Sequence, residues 1–159
     1  MNVEKLFTQD GVAQNLHAAS KKQLFQQMAE LASKSGAVPS DKAKVRDIVA
    51  AVAERERLGS TGVGYGVAIP HARLEGIEDV CAVFARLETP LEYESIDERP
   101  VDLVVLLLAP ANANSLHLKA LAQISRLLRR EDLRDRLRSA PNSEALHLLL
   151  TEDRTANAA

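Results

Sequence analysis

A single cysteine, Cys81, no tryptophan and an aromatic share of only 3% set the first limits on this sequence of 159 residues. One thiol excludes an internal disulfide framework and any cysteine-built zinc cluster. Cys81 sits in an apolar run and reads as a small buried hydrophobe rather than a reactive thiol. So few rings leave no stacking platform for single-stranded nucleic acid. Neither sign of charge dominates: 20 Lys and Arg stand against 22 Asp and Glu, a formal net charge of -2, which excludes a global pull toward DNA or an anionic membrane. A long hydrophobic run is also missing. The longest, LVVLLLAP from Leu103, falls far short of the roughly 20 apolar residues needed to cross a bilayer. The N-terminal MNVEKLFTQDG has neither the apolar core nor the cleavage site of a signal peptide. The expectation is a cytoplasmic protein with no membrane insertion.

What is present is a core-forming composition, 46% hydrophobic, in a chain long enough for one compact domain. No repeat or low-complexity linker divides it. The expected layout is one domain over residues 1–159, with its core at about 12–150 and a frayed tail, TEDRTANAA, at 151–159. Apolar spacing alternates between helix and strand. Ser20 to Gly36 reads as a helix, with Ser20 and Gln23 at capping-box spacing, Leu24, Phe25, Met28 and Leu31 on one face, and Gly36 as terminator. The next helix has Ser40 as cap, a stripe of Val45, Ile48, Val49 and Val52, and Gly59 at its end. VAIPHA and VCAVFARLE (Val80 to Glu88) read as strands, and VDLVVLLLAP, apolar on both faces, as a central strand covered on both sides. Helices return from an Asn114 cap, through DLRDRLRSA, to NSEALHLLL with Asn142 or Ser143 as cap. The predicted fold class is α/β, a mixed sheet flanked by helices on both faces.

The stretch GSTGVGYG, from Gly59 to Gly66, is not a nucleotide loop. A Walker loop ends in Gly-Lys-Ser/Thr, whereas Tyr65 follows Gly64 here; a dinucleotide fingerprint lies between strand and helix, whereas here the order is reversed. Two readings remain, a tight turn or a nest of backbone amides for an anion. Pro70 fixes its own φ and holds Ile69 extended, so the chain reaches His71 stiffly at a strand end, where sites commonly lie. At about 100° per residue, His117 points with Leu121, Ile124 and Leu128 toward the interior from a helix start, among unbonded N–H groups that welcome an anion. A core histidine bonded to a carbonyl is the alternative. Arg55 and Arg57 close the second helix just before the glycine stretch, where they either reach a bound anion or complement the helix dipole.

RERLGSTGVGYGVAIPHAR, with PVDLVVLLLAP and HLKALAQISRLL downstream, resembles the enzyme IIA domain of the bacterial phosphotransferase system, fructose/mannitol type, and within it the nitrogen-regulatory branch. The resemblance runs from about Val12 to Leu150, and GVAIPH is its specific motif. It implies the mannitol-type IIA fold and a phosphoryl group accepted from a histidine-containing phosphocarrier protein on His71, at one or other ring nitrogen. It places the family's active-site arginine on Arg55, not Arg57, and its second active-site histidine on His117. Ser60 and Thr61 offer hydroxyls that either support the phosphoryl group or cap the loop. Ala72 departs from the glycine of many relatives. Neither cofactor nor metal is implied. The expected role is regulation of target proteins, such as transporters and kinases, according to phosphorylation state. The alternative is a stand-alone fructose/mannitol-type transport IIA component that passes its phosphoryl group to a IIB domain.

Two other classes fare worse. A metal hydrolase using His71 and His117 lacks an H-x-H, H-E-x-x-H or clustered aspartate set. The tract Arg126 to Arg138 carries six arginines against Glu131, Asp132 and Asp135, a mixture that reads as exposed helix faces rather than a phosphate-tracking stripe, so no nucleic-acid partner is expected. His17 and His147 read as surface or packing residues, and IDERPVD (Ile96 to Asp102) as a polar turn.

Overall fold

The run VDLVVLLLAP forms the middle of the sheet because both of its faces are apolar. The computed structural model describes residues 3–39 and 43–152. Its strands are β1 (Val12–Leu16), β2 (Gly62–Gly64), β3 (Val67–Ala68), β4 (His71–Leu74), β5 (Cys81–Leu91) and β6 (Val101–Pro110). They form one six-stranded mixed sheet in the order β1-β5-β6-β3-β2, with β4 also paired to β6. Val104, Leu106 and Leu108 of β6 pack against α1 (Lys21–Lys34) and α2 (Val45–Leu58). Leu103, Val105 and Leu107 face α3 (Asn114–Leu128), α4 (Glu131–Ser139) and α5 (Ser143–Thr151). Each fully buried leucine contributes about 1.5–3 kcal/mol over an exposed one, so this doubly covered strand anchors both layers.

Local signals account for most helix ends. The Ser20 hydroxyl accepts from the Gln23 amide at 3.1 Å, while the Gln23 side chain accepts from the Ala19 amide at 2.6 Å, so the reciprocal half of the capping box lands one residue early. Gly36, at φ 81°, supplies the left-handed residue that stops α1. Asn142, rather than Ser143, caps α5 by accepting from the Ala145 amide at 2.9 Å.

Several expectations need correcting. Ser40 lies outside the described residues, and α2 starts at Val45 behind Lys44, which makes no side-chain cap bond. Ala113 occupies the cap position of α3, and Asn114 is already inside the helix. Thr151 belongs to α5, its hydroxyl donating to the His147 carbonyl at 2.7 Å; the remaining tail from 153 lies outside the described residues. The glycine stretch is a hairpin. Gly62–Gly64 pairs with Val67–Ala68 around Tyr65 (φ 59°) and Gly66 (φ 78°), the two positive φ angles that such a turn demands.

VAIPHA is a strand interrupted at Pro70. Val67 pairs with Leu103 and His71 with Leu107, so β3 and β4 follow β6 in one continuous register. Pro70 donates nothing, but its carbonyl accepts the Leu107 amide at 3.0 Å. HARL therefore stays in the sheet, where the sequence pattern suggested that the strand ends.

Candidate functional site

His71 opens β4 beside Leu107, and parallel partners at the same register present their side chains to the same face of the sheet. That face belongs to α3. His71 is 8% exposed, and its Nδ1 lies 2.7 Å from the Ile69 carbonyl. A carbonyl only accepts, so Nδ1 carries the proton and Nε2 keeps its lone pair. Burial, the main influence, holds the ring's pKa below the ordinary value; the Ile69 carbonyl opposes it, Arg55 reinforces it, and Glu56 opposes it. His71 is a neutral nitrogen base of defined tautomer.

The ring lines a pocket of about 740 Å³ with Arg55, Arg73, Asn114, His117 and the apolar rim of Leu58 and Leu118. Two helices from opposite faces of the sheet meet here, α2 by its C-terminal turn and α3 by its first turn. Arg55 donates from Nη1 to the Gly59 carbonyl at 2.9 Å, which braces the guanidinium across the helix end. The His117 ring stands edge-on to that of His71, with centroids 5.2 Å apart and planes at 75°. Its buried Nε2 has no hydrogen-bond partner among the described residues. Burial, then the neighbouring His71, Arg73 and Arg55, push the His117 pKa down to about 4.

The structure thus brings three of the expected residues together and leaves two elsewhere. Thr61 is buried, and its hydroxyl bonds Glu56 and the Tyr93 hydroxyl, the latter at 2.9 Å. The Ser60 hydroxyl donates to the Tyr93 carbonyl at 3.4 Å and accepts from the Gly62 amide at 3.1 Å. Neither residue lines the His71 pocket. Nor do the hairpin amides. The turn lies beside Leu103, four β6 residues or about 13 Å from the His71 partner. There the Tyr65 amide donates to Asp97 at 2.9 Å, so the tight-turn reading holds. Arg57 folds back onto Glu54.

Arg73 is the residue that sequence reasoning missed. It follows His71 by two positions in β4, so both lie on one face. The signal was the strand period itself, lost when HARL was taken to leave the sheet. Elsewhere, His17 pairs with Glu88 at 2.6 Å and the His147 ring meets the Phe7 carbonyl at 3.0 Å. In the arginine-rich tract, Arg134 is buried against the Leu128 and Arg129 carbonyls, Arg138 bonds Asp102, and Arg130 pairs with Asp132. Among the described residues no group of three or more His, Cys, Asp or Glu is placed to hold a metal ion, and no helix is long and apolar enough to cross a membrane.

The depressed histidines predict a pH response. Both bind protons less readily folded than unfolded, where a histidine titrates near about 6.5, so stability rises with pH across that interval. The thermal midpoint should fall as pH drops below about 6.5, with the His117 share exhausted near pH 4. Thermal melts from pH 7.5 to 4.5, repeated on His117→Gln, check this. A variant as acid-sensitive as wild type contradicts it.

The family model described as "Phosphoenolpyruvate-dependent sugar phosphotransferase system, EIIA 2" matches residues 5–153. The chain is 43% identical over 150 residues to a nitrogen regulatory protein of Bradyrhizobium diazoefficiens, covering 94% of this chain and 95% of the relative. It is 38% identical over 152 residues to that of Pseudomonas aeruginosa, covering 96% of each. Among solved structures, the nitrogen regulatory protein IIA-Ntr of Neisseria meningitidis superposes with a TM-score of 0.84 at 29% identity, covering 94% of this chain and 99% of that one. The mannitol IIA of Escherichia coli shares the fold, with a TM-score of 0.72 at 21% identity over 90% of this chain and 97% of that one. The mixed sheet, the GVAIPH strand and the extent of these matches agree: the chain belongs to the type-2 EIIA family of the phosphotransferase system, alongside the nitrogen regulatory proteins to which it is similar.

Proposed function

We propose that this protein is a phosphohistidine-forming regulatory phosphocarrier that accepts a phosphoryl group on Nε2 of His71 from a histidine-containing phosphocarrier protein in the cytoplasm. The observation that carries this reading is the 2.7 Å contact between Nδ1 and the Ile69 carbonyl, which leaves Nε2 as the nucleophile. A P–N bond forms at Nε2 while the donor's P–N bond breaks and its electron pair returns to the donor ring. The proton stays on Nδ1, so no base must remove it, and the Ile69 carbonyl stabilises the positive charge that the phosphorylated ring acquires. Transfer through a loose phosphoryl group asks chiefly for alignment and charge stabilisation. Arg55 and Arg73 supply cationic N–H donors in the pocket, each charge-assisted bond contributing about 1.5–3 kcal/mol. His117 faces the same space.

Regulation follows from charge. Phosphorylation adds close to two negative charges at a pocket whose rim exposes Leu58 and Leu118, so target proteins such as transporters or kinases bind one form better than the other. The similarity to nitrogen regulatory proteins supports this role over onward transfer to a IIB domain. The experiment is incubation with a phosphorylated histidine-containing phosphocarrier protein, followed by mass spectrometry and nitrogen–phosphorus NMR. One acid-labile phosphate on Nε2 is expected; phosphate on Nδ1, or none, contradicts the reading.

A further inference from the structure

Glu56 lies in the last turn of α2, next to Arg55 but turned away from the pocket, and its side chain is 7% exposed. Both of its oxygens accept the Thr61 amide at 3.0 Å, and it also accepts the Thr61 hydroxyl, the Tyr93 hydroxyl at 3.1 Å and the Lys21 ammonium at 3.1 Å. Burial works against the charge of this carboxylate, yet the Thr61 hydroxyl, the Thr61 amide and Lys21 outweigh it and hold the pKa below the usual range. An ionised group so fully bonded is a fixed point in the fold.

From that point a path leads to the nucleophile. The Thr61 carbonyl accepts the Ile69 amide at 3.0 Å, and the Ile69 carbonyl accepts the Nδ1 proton of His71 at 2.7 Å. The path matters because the sheet breaks where it passes. Ile69 falls between β3 and β4, and Pro70 has no N–H with which to tie the chain down. Ile69, whose carbonyl grips the imidazole, is therefore tied on its N-terminal side through its own amide to Thr61, while on the other side the Pro70 carbonyl accepts the Leu107 amide.

We propose that Glu56 is a positioning residue for His71, acting through Thr61 and Ile69 to fix the carbonyl that holds the Nδ1 proton and thereby the orientation of Nε2. Glu56 touches neither the imidazole nor the phosphoryl group. The catalytic consequence rests on His71 being the phosphoryl acceptor; the geometric one does not. Outer partners that orient a metal-ligating histidine are worth about 10- to 100-fold in affinity or activity, and an effect at the lower end of that range is expected for this imidazole.

The test uses Glu56→Gln, which keeps the shape and removes the charge, with Thr61→Val and Thr61→Ser as a pair that deletes or retains the hydroxyl. Two readings are taken: solvent exchange of the His71 Nδ1 proton by NMR in the unphosphorylated protein, and kcat and KM for phosphoryl acceptance. Glu56→Gln and Thr61→Val should speed exchange of that proton and lower kcat by about tenfold with KM for the donor unchanged, while Thr61→Ser stays at wild-type values. Folded variants with unchanged proton exchange and unchanged kcat overturn the proposal, as does a loss confined to the melting temperature. Should Glu56→Gln fail to fold, Thr61→Val against Thr61→Ser decides by the same two readings. A wild-type protein that takes up no phosphate but whose Nδ1 proton responds to Glu56→Gln refutes the phosphocarrier reading and leaves the positioning path standing.

Discussion

A His71→Gln protein is expected to take up no acid-labile phosphate from the phosphorylated donor under conditions where the wild type is fully labelled. The carboxamide can donate to the Ile69 carbonyl much as Nδ1 does, so the extended chain at Pro70 should keep its shape. What it cannot supply is a neutral nitrogen with a lone pair available for bonding, because an amide nitrogen gives its pair to the carbonyl. The loss is one of kind rather than degree: among the described residues the other imidazole lining the pocket is that of His117, whose Nε2 is buried, and the Glu54 carboxylate there is paired with Arg57. Circular dichroism and the melting curve separate this outcome from unfolding. Label retained at wild-type stoichiometry in a folded His71→Gln protein would move the phosphoryl acceptor elsewhere and end the present account of the site.

The second large effect is expected at Arg55. Its guanidinium is braced by the Gly59 carbonyl through one nitrogen and lines the His71 pocket, and on the function proposed above its other N–H groups hold the phosphoryl group. Removing two charge-assisted bonds, each worth about 1.5–3 kcal/mol, is larger than any surface ion pair can match. Arg55→Ala should lower kcat/KM for phosphoryl acceptance by about 100-fold or more, since each 1.4 kcal/mol is about tenfold in rate. Arg55→Lys should recover only part, because a point charge replaces a planar fork. Arg57→Ala provides the contrast. Its exposed pair with Glu54 is of the sort worth about 0–1 kcal/mol, so its transfer rate should be that of wild type. Comparable losses at both arginines would show that general positive charge at the helix end, rather than a placed donor, drives the reaction.

The central strand, the two amphipathic helices before it and the presentation of His71 were legible because each is encoded locally. VDLVVLLLAP is apolar on both faces of the pleat at every position but Asp102, and Pro70 acts on its immediate neighbours. β1 was not legible: VAQNL is five residues with a single strongly buried side chain, and it becomes a strand by pairing with Phe84 and Ala85 far along the chain. The hydroxyls of Ser60 and Thr61 stayed open between a phosphoryl group and a loop cap for the same reason. Whether a hydroxyl faces an anion or a buried carboxylate depends on what the fold delivers, and here it delivers Tyr93 and Glu56. Arg134 shows the converse error. In a tract of alternating charges it reads as solvent-facing, yet it is buried against the last carbonyls of α3, which no spacing rule announces. Arg55 and His117 were raised by their places on their helices and singled out by the family resemblance; their pairing with His71 across the end of the sheet came from the coordinates.

That the pocket bridges the end of the sheet, with α2 packed on one face and α3 on the other, has a mechanical consequence. Its donors are referenced to two separate hydrophobic layers that share only the strands between them, so slippage of either layer misaligns guanidinium and imidazole while the chain is still folded. Competence for phosphoryl acceptance should then behave as a gauge of registration between the halves of the molecule, fading on heating before the sheet itself melts.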